Sequence, residues 1–245
     1  MKTVIAPDPA RCSTLAAQAL AGYVRQHPGA LVCLAAGNTP LKVFRELVAL
    51  QESQALDLRG MRYIGLDEWV GLGPGDQGSC VQVMREAFYG PAGIPEDRLF
   101  LWDGQAGDLQ AEIARGNAFL RAHGPVGLTL LGIGMNGHVG FNEPGCAVAA
   151  GGMVTPLDEV TRQVSVKYFD RPRAVSQGIG LGLGSLLQAD RVLLMAHGAH
   201  KADIVRKALE GPPGNAVPAS LFQHHKGATL YLDEAAAGLL ERRDG

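Results

Sequence analysis

Short apolar runs of strand length alternate with longer segments of helical period along almost the whole chain, and this alternation limits the fold more than any other feature. Leu31 to Leu34, Met61 to Leu66, Leu99 to Trp102, Val126 to Leu131, Arg191 to Met195 and Thr229 to Leu232 are the strand candidates. A further strand is expected within a few residues of Met1. Between them, residues 13–26 set Leu15, Ala16, Ala19, Leu20, Tyr23 and Val24 on one helical face. Val43, Phe44, Leu47 and Val48 do the same for a second helix, and further helices are expected over 78–88, 108–122 and 199–209. No internal repeat or long linker interrupts the pattern. It predicts an α/β, single-domain Rossmann-like three-layer fold over residues 1–245, with a mostly parallel sheet and helices on both faces.

Ligands of such sheets sit outside the carboxyl ends of the strands, so the segments following each strand carry the functional information. After Leu34 comes Ala35-Ala36-Gly37-Asn38-Thr39-Pro40-Leu41. Thr39 is a natural N-cap and Pro40 suits the first helical position. A small-residue turn entering a helix offers free N–H groups to an anion, although any loop entering a helix has some of these features. The segment is neither a Walker loop nor a GxGxxG fingerprint.

After Leu66 come two adjacent carboxylates, Asp67 and Glu68. Side chains alternate along extended backbone, so one of the pair is expected in the cleft. The plain structural alternative has Asp67 capping the next turn and Glu68 solvated. After Leu131 comes the densest signal, Gly132-Ile133-Gly134-Met135-Asn136-Gly137-His138-Val139-Gly140-Phe141-Asn142-Glu143-Pro144-Gly145, with five glycines in fourteen residues. Glycines at that density hold backbone close to something. Among them lie one imidazole, one carboxylate and two carboxamides, a set able to move protons near neutral pH. Lys167 and Lys201 are cations near element ends, and as isolated residues read as solvated lysines.

Other classes find less support. The net charge is −2 and no Lys/Arg stripe is present, which argues against a nucleic-acid partner. Cys12, Cys33, Cys80 and Cys146 are spread singly, which suits neither a disulfide framework nor a zinc site, and Cys33 reads as a small buried hydrophobe. His197, His200, His224 and His225 lack the HExxH pattern of a metal site. No secretory signal or membrane-spanning run is evident, so a cytoplasmic protein is expected, with no membrane partner.

These residues resemble the glucosamine-6-phosphate deaminases and the related galactosamine-6-phosphate deaminase/isomerases. The matching pieces are Gly37-Asn38-Thr39-Pro40, Leu66 to Gly71, residues 132–145, Phe169-Asp170, Gly178 to Leu187 and Gly198 to Ala202, in the family's order. The ending Phe141-Asn142-Glu143-Pro144-Gly145 is the most specific. The related 6-phosphogluconolactonases share the fold and the Gly-His core but lack that Asn-Glu-Pro. The resemblance implies that Asp67 moves a proton between C2 and C1 of the opened sugar. It implies that His138 assists ring opening, with Glu143 completing its hydrogen-bond chain and Asn136 beside it. Gly37, Asn38 and Thr39, with Lys167 and Lys201, are implied to hold the 6-phosphate. The family uses no redox cofactor and no catalytic metal, so a small sugar phosphate is the expected partner, bound by a monomer or small homo-oligomer.

Two positions depart from the common family pattern. Asn136 stands where many members carry Asp, and a neutral amide orients the imidazole without offsetting its charge. Lys167 stands where the well-known deaminases carry Arg, giving a point charge in place of a fork. Pro144 to Asp158 contains no Arg or Lys, which points to a non-allosteric form. The expected reaction is glucosamine 6-phosphate to fructose 6-phosphate plus ammonia. The alternatives are galactosamine 6-phosphate to tagatose 6-phosphate, toward which Glu68-Trp69 and Pro218-Ala219-Ser220 lean, 6-phosphogluconolactone hydrolysis, and a non-catalytic sugar-phosphate sensor.

Overall fold

Parallel strands are buried on both faces and therefore read as continuous apolar runs. In the computed structural model, which describes residues 1–241, those runs form one seven-stranded sheet. Its strands are β1 (Lys2–Ala6), β2 (Leu31–Leu34), β3 (Arg62–Gly65), β5 (Leu99–Phe100), β6 (Val126–Gly132), β9 (Arg191–Ala196) and β10 (Ala228–Asp233). The order is β1-β10-β9-β6-β2-β3-β5, and every neighbouring pair is parallel. The last four residues of the expected 1–245 domain lie outside the described residues.

Alternation along the strands divides the core in two. Val32, Leu34, Leu128, Leu130, Leu193 and Met195 face one cluster, shared with α1 (Pro9–Gln26) and α2 (Leu41–Glu52). Leu31, Cys33, Val126, Leu131, Val192 and Leu194 face the other. That second cluster is closed by α4 (Leu109–His123), α6 (Leu183–Leu187) and α7 (Ala202–Glu210). Helix α1 begins where local chemistry dictates: Asp8 accepts from the Arg11 amide at 2.8 Å and Pro9 opens the first turn. Among the described residues no helix is long and apolar enough to cross a membrane.

The structure departs from the sequence expectations in several places. The strand expected over 99–102 is only two residues long. The helix expected over 78–88 is α3 (Cys80–Met84) running into a π-helical turn over Arg85–Tyr89. The helix near 199–209 opens with a 3-10 turn, Ala199–Lys201, before α7. A second sheet was not expected: β4 (Asp67–Trp69), β8 (Gln177–Leu181) and β7 (Gly152–Pro156) pair antiparallel in the order β4-β8-β7. Thus the large sheet is wholly parallel and the antiparallel strands are segregated. Helix α5 (Glu159–Ser165) and a 3-10 turn over Val166–Tyr168 connect β7 to β8.

Strand order reverses between β2 and β6, which opens a crevice at their carboxyl ends. The segments following β2, β3, β6 and β9 carry the candidate residues other than Lys167, which lies on the turn between β7 and β8.

Candidate active site

The loop after β6 is shaped around its histidine. The Gly134 amide donates to the His138 carbonyl at 2.9 Å, and the Gly137 amide donates to the Gly134 carbonyl at 3.1 Å. Any Cβ on Gly134 would overlap the His138 ring, so only glycine lets the imidazole lie there. On the ring, Nδ1 lies 3.0 Å from the Thr161 hydroxyl and 3.3 Å from Glu143 Oε2. Asn136 Nδ2 donates to the same Glu143 oxygen at 2.8 Å, and Asn136 Oδ1 accepts from the His138 amide at 3.2 Å. Burial pulls the Glu143 carboxyl upward, but bonding to His138, the charge of that ring, and bonds from Thr161 and Asn136 hold it below its ordinary value. Asn142 is structural, its amide donating to the Val139 and Leu181 carbonyls at 2.9 Å each.

Asp67 starts β4 directly beyond the end of β3. It is 9% exposed and Glu68 is fully buried. Gly140, at φ +57°, passes so close that a Cβ there would stand 3.0 Å from Asp67 Oδ2. Burial pushes the Asp67 carboxyl up to about 7, and the charge of Glu68 adds to the rise. Bonds from the Cys80 thiol and the Phe141 amide work against it. The alternative in which Asp67 caps a turn and Glu68 is solvated is overturned, because it is Glu68 that caps. Its carboxylate accepts from the amides of Trp69 (2.7 Å), Cys80 (3.0 Å) and Val81 (2.8 Å) and from the Ser79 hydroxyl (2.6 Å). Four donors compensate the burial of one charge and pin the start of α3 beside Asp67.

The cationic side is looser. Lys201 is partly buried, and its Nζ donates to the Ile133 carbonyl at 2.6 Å, which ties it to the base of the 132–145 loop. Burial, then the nearby charge of Lys167, pulls the Lys201 ammonium down to about 8. Lys167 is exposed, with Nζ 5.0 Å from the Tyr168 ring centroid. The Tyr168 hydroxyl is 4.0 Å from where a Cβ on Gly37 would be, so the segment bearing Lys167 comes up to the loop after β2. In that loop Asn38 is exposed, and Thr39 does not cap: α2 starts at Leu41 with Pro40 in the capping position and no side-chain cap bond. The helix starts one residue later than expected, which puts Pro40 in the capping position and leaves Thr39 outside it.

The structure therefore brings Asp67, Asn136, His138 and Glu143 to one end of the sheet, with Lys201 and Lys167 close to each other and Gly37 beside the Lys167 segment. It scatters the other histidines. His197 Nε2 lies 3.1 Å from Cys12 Sγ, His225 Nε2 lies 2.9 Å from the Ala189 carbonyl, and His200 and His224 are exposed. Among the described residues no group of three or more His, Cys, Asp or Glu is placed to hold a metal. Sequence reasoning missed Thr161 and the capping role of Glu68. For Glu68 a signal existed, since Ser79 and the amides after it form a helix start seeking an acceptor. Thr161 had none, because its partner is 23 residues away.

A family model described as glucosamine-6-phosphate isomerases/6-phosphogluconolactonase matches residues 9–231. A glucosamine-6-phosphate deaminase of Bacillus velezensis is 40% identical over 227 residues, 92% of this chain and 94% of that protein. One from Streptomyces coelicolor is 39% identical over 246 residues, covering 100% of this chain and 94% of its own length. Among solved structures, a monomeric glucosamine-6-phosphate deaminase superposes with a TM-score of 0.93 at 34% identity, over 98% of this chain and 100% of that one. A 6-phosphogluconolactonase of Trypanosoma brucei reaches a TM-score of 0.74 at 20% identity, over 98% of each chain, which shows a shared fold.

Proposed function

This chain belongs to the glucosamine-6-phosphate isomerase/6-phosphogluconolactonase family, and within it we propose an enzyme that converts glucosamine 6-phosphate to fructose 6-phosphate and ammonia. One arrangement carries this reading: a sheltered carboxylate, Asp67, shares the crevice with a separate proton relay built from His138, Glu143 and Asn136. Isomerisation with deamination needs two such centres. Hydrolysis of a lactone needs no transfer between adjacent carbons.

The resemblance implies the roles, and the geometry supports them. His138 takes the proton from the sugar's O1 and returns one to O5, opening the ring. Glu143, ionised and 3.3 Å from Nδ1, orients the imidazole and stabilises it when it carries the extra proton. Asn136 holds Glu143 in place as a neutral donor. Asp67 then removes the proton from C2 and delivers it to C1, as a carboxylate spanning two adjacent carbons can do. Burial keeps Asp67 near pH 7 in affinity, which is where a general base works best. The ammonium passes one proton to O1 as the amine-bearing carbon becomes an iminium, water adds to C2 and ammonia departs. Lys201, Lys167 and the backbone of Gly37 to Thr39 grip the 6-phosphate. That grip is remote from C1 and C2 and fixes their position without touching them. No step calls on a redox cofactor or metal. Residues 1–245 act as one sugar-phosphate domain, since β4 of the small sheet continues directly from β3 of the large one.

The test is direct. The protein is incubated separately with glucosamine 6-phosphate, galactosamine 6-phosphate and 6-phosphogluconolactone, and ammonia, ketose phosphate and released acid are measured. Ammonia with fructose 6-phosphate from the first is expected. Silence with both amino sugars overturns the assignment, and preference for the second moves it to the galactosamine branch.

A further inference from the structure

We propose that Thr161 is a positioning residue for ring opening, holding the proton of His138 on Nδ1 so that Nε2 faces the sugar as an acceptor. The inference rests on the deaminase reading and deepens it. Two groups meet at one ring nitrogen, Thr161 Oγ1 at 3.0 Å and Glu143 Oε2 at 3.3 Å, and the Asn136 amide donates to that same Glu143 oxygen at 2.8 Å. An ionised carboxylate only accepts, so Nδ1 can face Glu143 favourably only if Nδ1 carries the hydrogen. A hydroxyl both donates and accepts. With the ionised Glu143 fixing the hydrogen on Nδ1, the Thr161 hydroxyl meets that N–H with a lone pair at 3.0 Å. Each group in the triangle then has one consistent role, and the lone pair of Nε2 is the only place on the ring for the O1 proton.

Burial makes this arrangement selective. Thr161 is 5% exposed and Glu143 is 4% exposed, so bulk water does not readily replace a lost hydroxyl. The position of Thr161 gives it a second consequence. It lies on α5, which leads directly into the Val166–Tyr168 turn carrying Lys167. The hydroxyl that meets the imidazole and the lysine proposed for the phosphate thus lie on one continuous segment.

The test compares Thr161→Val with Thr161→Ser. With Thr161→Val, kcat for glucosamine 6-phosphate is expected to fall about tenfold, part of the ~10²–10⁴ that acid–base catalysis supplies. KM should stay within about twofold, because the phosphate grip is untouched. Serine, which keeps the hydroxyl, should restore kcat. Independently of turnover, 15N NMR of histidine-labelled protein should show His138 as the Nδ1–H tautomer in the wild type and a mixture in Thr161→Val, with His138→Gln identifying the signal. An Nε2–H wild type overturns the proposal even if the valine variant fails to fold. So does a folded valine variant with unchanged tautomer and kcat. Absence of ammonia release by the wild type would instead sink the deaminase reading and leave the tautomer measurement to decide the proposal.

Discussion

The two ends of the candidate site are built on opposite principles. At the proton-transfer end, Asp67, Glu68 and Glu143 are 9%, 0% and 4% exposed, and the last two are held by side-chain and backbone bonds already in place. At the phosphate end, Asn38 and Lys167 are exposed, α2 begins without a side-chain cap, and Lys201 is pinned only to one carbonyl. A base gains proton affinity by leaving water, and that cost is met by the fold. A phosphate carries its own charge, so its site needs cations and free amides rather than a finished network. In the proposed enzyme the first end is preorganised and the second is completed by the substrate's phosphate.

The sharpest way to break this contrast is Asp67→Asn. It keeps the shape and removes the base, so kcat should fall about 10³-fold, while KM changes little because phosphate is held elsewhere. Steady-state ammonia release measures both. Stability should move the other way. The folded Asp67 has its affinity raised from 3.8 to about 7, so between those values the folded state binds more protons than the unfolded state, and stability falls as pH rises. The cost is absent below about 4 and complete above about 7. Asp67→Asn should therefore raise the melting temperature at pH 8 and leave it unchanged at pH 4. A lower melting temperature at pH 8 would show that Asp67 is a structural carboxylate.

Lys201 tests the other end. Lys201→Met should raise KM by about 10²-fold with a smaller effect on kcat, as expected for one charge-assisted bond of about 1.5–3 kcal/mol. The wild-type pH profile joins the two ends. Asp67 must be ionised, so the rate falls as pH drops below about 7. Lys201 must be charged, so the rate falls again as pH rises above about 8. A bell with its summit between those limits is expected, losing about tenfold per unit outside them. Lys201→Arg, which stays charged, should remove the alkaline limb, and a limb that persists belongs to another group.

The same contrast explains what could be seen in the sequence. The seven parallel strands show because burial on both faces leaves continuous apolar runs such as Leu31 to Leu34. The 132–145 loop shows because close packing around His138 demands glycine. The antiparallel sheet did not show, and its glycines are the reason. In β8, a Cβ at Gly178 would overlap the Phe141 ring and one at Gly180 would stand 2.7 Å from Asp67 Cβ. These positions are kept empty for side chains far away in sequence, so the strand loses the alternation by which strands are recognised. Glu68 and Asp67 were visible as a pair, but which one caps depends on α3 folding back from residue 80. Thr161 depended on a contact between the 132–145 loop and α5 that no local pattern encodes.

The smallest effect is expected at Lys167, and it separates the two cations of the phosphate end. An exposed lysine 5.0 Å from a tyrosine ring contributes through water, and salt screens it over a Debye length of about 8 Å at physiological ionic strength. Lys167→Met should raise KM about threefold at low salt. Lys167→Arg should lower it by a similar factor, since a fork can take two phosphate oxygens where an ammonium takes one. Salt gives the decisive comparison. Raising ionic strength should erase most of the difference between wild type and Lys167→Met, but leave the Lys201→Met defect largely intact, because the partly buried ammonium is screened far less. If the two defects respond to salt alike, both lysines are equally solvated, and the phosphate end has no sheltered half.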